Sequence, residues 1–113
     1  MPNAISSLEL VAALQTSGSP QLIDVRRKAA FDASGQMIAG AIWRDPDEPG
    51  NWAPSLDATR PVVVYCVRGH EVGRNCAALL EAMGFDATYL LGGLEEWTAG
   101  SHPTISKPSR AEP

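Results

Sequence analysis

Cys66, Arg68, Gly69, His70 and Glu71 stand within one short segment, Cys66-Val67-Arg68-Gly69-His70-Glu71-Val72. The apolar, β-branched run Val62-Val63-Val64-Tyr65 precedes it, and a helical pattern starts at about Glu71. Cys66 should therefore sit at the carboxyl end of a strand, beneath the N-terminus of a helix. There the backbone N–H groups of a curled loop can converge on one point, and the helix adds roughly half a positive charge. Gly69 supplies the left-handed backbone conformation that curls such a loop into a nest. A thiol in that field should ionise below its free value of about 8.5. The thiolate is a nucleophile, and the same cradle would stabilise the outer sulfur of a persulfide. Set against this, a lone cysteine in an apolar strand is commonly a core residue. The Gly, Arg and His that follow tip the balance toward chemistry.

Other elements must carry this segment. Ser6 and Glu9 form a capping-box pattern before a helix in which Leu8, Val11 and Ala12 recur, with Leu10 and Leu14 widening the face. Gly18 and Pro20 end it. Gln21 to Val25 reads as a strand, Arg26 to Ala33 as a loop with one helical turn near Phe31, and Gly40 to Trp43 as a second strand. The stretch from Arg44 to Arg60, broken by Pro46, Pro49 and Pro54, reads as loop with at most a short helix. The helix from Glu71 to Met83 places Val72, Cys76, Leu79 and Met83 on one stripe, which makes Cys76 a core thiol. Asp86 to Leu91 is a strand, Gly92-Gly93 a tight turn, and Leu94 to Thr98 a helix that Trp97 anchors. Met37 and Met83 read as core filling, Trp43 and Trp52 as candidates for the rim of the site, and Arg74 as a surface residue. Alternating strands and helices give an α/β fold: a central parallel sheet of about five strands with helices on both faces. In such sheets the site lies outside the carboxyl ends of the strands, which again selects the segment after Tyr65.

The chain has 113 residues, 44% hydrophobic and 19% charged, which suits one domain with a core of its own. Residues 1–100 are expected to form that domain. Residues 101–113, with Pro103, Pro108 and Pro113, are expected to be a flexible or draped C-terminal tail. Nine basic and 13 acidic residues give a net charge of −4, and the basic ones form no stripe. Nucleic acid and anionic membranes are poor partners for such a chain. No apolar run approaches the roughly 18 residues needed to span a bilayer. The opening Met1-Pro2-Asn3-Ala4-Ile5 is not a basic, apolar leader, so a cytoplasmic location and reduced thiols are expected. Cys66, Cys76, His70 and His102 have no metal-ligand spacing, so a structural zinc site is not expected.

Three motifs in order resemble the rhodanese family of sulfurtransferases. They are Leu22-Ile23-Asp24-Val25-Arg26 followed by Gly40-Ala41-Ile42, the loop Val64-Tyr65-Cys66-Val67-Arg68-Gly69, and Leu91-Gly92-Gly93-Leu94-Glu95-Glu96-Trp97. The resemblance covers about residues 5–100 and fits a single-domain form. It implies that Cys66 accepts a sulfane sulfur, from thiosulfate or another donor, as a persulfide. The sulfur then passes to cyanide, a thiol or a protein cysteine. It further implies a substrate-binding cradle of loop amides from about Val67, Arg68, Gly69, His70, Glu71 and Val72. No metal or organic cofactor is implied. Asp24 and Arg26 resemble the family's framework ion pair, read here as structural.

The loop departs from what favours thiosulfate. Glu71 either turns its carboxylate toward an anion site or complements the helix dipole from the first turn. If it points inward, a thiol or protein donor gains over thiosulfate. Arg68 either opposes substrate charge or is a solvated loop arginine. His70 either holds the thiolate or lies exposed. Two rival functions remain. A cysteine phosphatase or arsenate reductase wants an arginine clamp where this chain has Val72. Loss of the cysteine would mark a non-catalytic partner-binding or redox-sensing module; the presence of Cys66 argues against that reading without excluding it.

Overall fold

The computed structural model describes residues 3–69 and 71–107. Its elements run β1 (Asn3–Ile5), α1 (Ser7–Leu14), β2 (Gln21–Asp24), α2 (Lys28–Ala33), β3 (Gln36–Ile38), β4 (Ile42–Trp43), α3 (Pro49–Trp52) with a 3-10 turn at Ala53–Ser55, β5 (Val62–Tyr65), α4 (Glu71–Ala82), β6 (Ala87–Leu90), α5 (Gly93–Ala99) and β7 (Thr104–Ser106). Five strands form one sheet in the order β1-β6-β5-β2-β4, and every neighbouring pair is parallel. The expected five-stranded α/β architecture is therefore present.

β5 is central and buried at all four positions, as its continuous Val-Val-Val-Tyr run requires of a strand covered on both faces. Its side chains alternate between two cores. Val62 and Val64 pack with Ile23, Val25, Trp52, Ala53, Cys76, Ala77 and Leu80 on the α3–α4 side. Val63 and Tyr65 pack with Leu10, Leu22, Leu90, Leu94 and Trp97 on the α1–α5 side. Cys66, the next residue, continues this alternation toward α4, where its Sγ lies close beneath Gly73.

The N-terminal capping box of α1 forms as its residues demand: Ser6 Oγ accepts from the Glu9 N–H, and Glu9 accepts from the Ser6 N–H. The bonded carboxylate holds the Glu9 pKa below its usual value.

Several expectations need correction. Leu10 is the fully buried anchor of α1, while Leu8 is 74% exposed. On α4 the buried line is Gly73, Cys76, Ala77 and Leu80, whereas Leu79 and Met83 are each 48% exposed. Small residues let the helix lie close on the sheet, and a reading weighted by side-chain size selected the neighbouring line instead. Met83 is thus not core filling, although Met37 is buried. The C-terminal stretch is not free over residues 101–107. There β7 pairs antiparallel with β3, Met37 opposite Ile105, and the Trp97 indole donates to the Pro103 carbonyl at 2.9 Å. Residues 108–113 of the expected tail lie outside the described residues. β1 and β3 were also not foreseen. Their three-residue lengths and polar members give no alternating pattern, and both exist through their partners β6 and β7.

Candidate active site

β5 ends at Tyr65, and the chain turns through Cys66, Val67, Arg68 and Gly69 before α4 begins at Glu71. Gly69 adopts φ +71°, as the curled loop requires. A side chain there would strike the turn before α5, its Cβ 2.5 Å from the Gly92 nitrogen and 2.7 Å from the Leu90 oxygen. Gly93, at φ +58°, is equally constrained: a Cβ would lie 2.4 Å from the Cys66 carbonyl oxygen and 2.6 Å from the Gly69 nitrogen. The two glycines thus let loop and turn touch backbone to backbone.

That contact sets the loop's polarity. The N–H groups of Leu94 and Glu95, at the start of α5, donate to the carbonyls of Cys66 and Val67, each at 2.9 Å. These two carbonyls are thereby drawn toward α5. Among the described residues, the amides of Val67, Arg68 and Gly69 have no hydrogen-bond acceptor. Fixed carbonyls and unclaimed donors are what an anion-binding loop needs.

Cys66 is 6% exposed and lines a cavity of about 810 Å³. Val67, Arg68, Gly69, Glu71 and Val72 line it too, so the structure brings these loop candidates together around the thiol. His70 lies outside the described residues. Arg26, Arg27, Ala30, Arg74 and Tyr89 complete the lining. Arg27, Ala30, Arg74 and Tyr89 were not foreseen as site residues. Arg74 had a signal: it follows Glu71 by three positions, hence on the same helix face. Trp43 and Trp52 do not line this cavity. Trp52 is core, and the Trp43 indole donates to the Arg26 carbonyl at 2.8 Å.

The cavity carries Arg26, Arg27, Arg68 and Arg74 against Glu71. Arg68 contacts Glu95 at 3.4 Å and Arg27 pairs with Asp47 at 3.0 Å, all four side chains well exposed. Such pairs are worth well under about 1 kcal/mol and yield readily to a ligand. Glu71 is exposed and also lines the cavity, so its place in the first turn of α4 and its nearness to the thiol coexist.

Asp24 and Arg26 form a buried ion pair. The Arg26 Nη2 approaches Asp24 Oδ2 to 2.6 Å, and Nε sits 3.0 Å from both carboxylate oxygens. Arg26 also donates to the Gln36 carbonyl at 3.0 Å. The Tyr65 hydroxyl donates to Asp24 Oδ2 at 2.9 Å and accepts from the Ile38 N–H at 3.1 Å. Burial, with the Asp24 charge beside it, pushes the Tyr65 hydroxyl far up and keeps it a neutral donor. This network joins β2, β5 and β3 directly below the Cys66 loop. The framework role expected for the pair fits it. Removing one charge from such a pair costs roughly 3–5 kcal/mol.

Cys76 has a different setting. It is 2% exposed in the core under α4, and desolvation pushes its thiol up to about 12. Among the described residues, no group of three or more His, Cys, Asp or Glu side chains is placed to hold a metal ion. No helix among them is long and apolar enough to cross a membrane.

A parallel α/β sheet with a thiol-bearing loop at the carboxyl end of its central strand defines the class. Within it, this chain belongs to the rhodanese-like domain family, whose model matches residues 7–100. It is 32% identical over 84 residues to thiosulfate sulfurtransferase GlpE of Coxiella burnetii, covering 74% of this chain and 75% of that protein. A rhodanese-like domain protein from Staphylococcus aureus superposes with a TM-score of 0.73 at 25% identity, covering 84% of this chain and 90% of that one. A rhodanese-related protein from Thermoplasma volcanium, at 18% identity, shares the fold with a TM-score of 0.78 over 91% and 97% of the two chains.

Proposed function

We propose that the protein is a sulfurtransferase in which Cys66 carries the sulfur. The Cys66 thiolate attacks the outer sulfur of thiosulfate. The S–S bond breaks, sulfite leaves with the bonding pair, and Cys66 becomes a persulfide. A thiophilic acceptor then attacks the outer sulfur: cyanide leaves as thiocyanate, a thiolate as a new persulfide, and the Cys66 thiolate returns. The observation that carries this reading is the position of Cys66 on the wall of a cavity flanked by its own loop and by arginines. The unclaimed amides of Val67, Arg68 and Gly69 would stabilise the persulfide anion, as backbone donors do for other developing anions. Val67, Arg68, Gly69, His70, Glu71 and Val72 form the substrate-binding loop in this reading, and Asp24 with Arg26 supports it from below. The likeness to a thiosulfate sulfurtransferase supports the donor class.

The test is mass spectrometry after incubation with thiosulfate. One added sulfur, about 32 Da, is expected on the wild type and on Cys76→Ser, and none on Cys66→Ser. A gain that persists in Cys66→Ser overturns the reading. The same assay weighs Glu71. An exposed carboxylate at the cavity repels a dianion modestly, so Glu71→Gln should lower the KM for thiosulfate by about two- to threefold.

A further inference from the structure

The helix α2 supplies part of the cavity wall but buries none of its residues fully, and its Lys28–Asp32 pair, at 3.0 Å, lies within the helix itself. It spans six residues, Lys28–Ala33. Its N-cap, Arg27, makes no side-chain capping bond. Isolated helices shorter than about 12 residues are not stable in water, so packing from outside must fix this one. Even so, Arg27 and Ala30 both line the Cys66 cavity.

The packing converges on one ring. Phe31, half-buried, stacks on Trp43 with centroids 5.2 Å apart, and the Arg26 guanidinium lies 5.1 Å from its centre. Lys107 places its Nζ 4.2 Å over the same ring and donates to the Phe31 carbonyl. The Lys107 backbone N–H donates to the Gly35 carbonyl at 3.0 Å, just beyond β7. Through the β3–β7 pairing, the C-terminal segment thus reaches back and grips α2 by its aromatic side chain. Lys107 itself does not line the cavity.

We infer that Lys107 is a positioning residue for the Cys66 site: by clamping Phe31 it fixes α2, and so sets the part of the cavity lining that Arg27 and Ala30 supply. The kinetic part of this inference rests on the sulfurtransferase reading; the structural part does not. A loosened wall weakens the hold on an anionic donor and leaves the thiol's own chemistry alone.

Two variants and two readouts test it. With thiosulfate as donor, Lys107→Met should raise KM about three- to tenfold with kcat within twofold, the size expected for losing a cation–π clamp. Lys107→Arg keeps a cation over the ring and should restore the wild-type KM. Phe31→Leu removes the ring without changing charge and should match Lys107→Met. The double variant should cost less than the two single losses combined, because both singles remove the contact between Lys107 and the Phe31 ring. The second readout needs no sulfur transfer. The rate of Cys66 alkylation by anionic iodoacetate, divided by that with neutral iodoacetamide, reports the cationic wall. That ratio should fall about threefold in Lys107→Met and in Phe31→Leu, a modest loss of local field. If the wild type moves no sulfur but the ratio falls, the sulfurtransferase reading fails and the clamp stands. An unchanged ratio in both variants overturns the clamp. So does a loss of kcat equal to the rise in KM.

Discussion

Cys66 and Cys76 are both more than nine-tenths buried, yet they sit in opposite surroundings. Cys66 ends the central strand, and its wall opens into a cavity with loop amides and four arginines around it. Cys76 lies on the sheet side of α4 among Val64, Ala77 and Leu80, where nothing offsets the cost of charging it. Burial fraction alone does not separate these two settings. What separates them is that Cys66 borders a cavity and Cys76 is enclosed by core side chains. In this chain the difference arises where β5 stops: backbone groups are free to face the sulfur only past the last strand residue.

Alkylation probes this contrast most strongly. Iodoacetamide at neutral pH should label Cys66 at least about a hundredfold faster than Cys76, read by peptide mass mapping. In denaturant the two should label at comparable rates. Fast labelling of native Cys76 would erase the distinction. A second prediction attacks the backbone contact that shapes the Cys66 side. Gly93→Ala combines a positive φ with a Cβ driven to 2.4 Å from the Cys66 carbonyl oxygen. It should lower stability by about 2–4 kcal/mol in urea titration and slow Cys66 labelling. A Gly84→Ala control, at φ +100° with no atom within 4 Å of the added Cβ, should leave Cys66 labelling unchanged.

The smallest effect concerns the Cys76 side and appears only in alkali. Its folded pKa of about 12 lies above the ordinary value of 9.0. The unfolded chain therefore loses that proton first as pH rises, so the folded state binds more protons and stability falls with pH. The contribution is fully present below pH 9 and is lost between pH 9 and about 12. Cys76→Ala should flatten that part of the melting-temperature curve relative to wild type.

The elements that position the thiol were legible in the sequence because their signals are local. The Val62–Tyr65 run, the capping box at Ser6 and Glu9, and the stop at Gly84 each depend on neighbours a few positions away. The loop motif gathered Cys66, Val67, Arg68, Gly69, Glu71 and Val72 in one segment for the same reason, and they line one cavity. The rest of the lining was not legible. Arg27 and Ala30 line the Cys66 cavity only because β2 lies beside β5, and Tyr89 only because β6 lies on its other side. The buried line of α4 was misplaced because Gly73 and Ala77 carry little hydrophobic signal, although their small size sets how closely the helix approaches.

The sequence by itself determined the central strand with its cysteine loop, the helices and strands with local signals, and the family. These follow from propensity, capping and motif spacing, all short-range along the chain. Tertiary structure alone decided which amides were left without partners, which arginines line the Cys66 cavity, and how the C-terminal residues grip Phe31. Those outcomes depend on contacts between segments far apart in sequence: α5 drawing off the Cys66 and Val67 carbonyls, and Lys107 reaching back to α2.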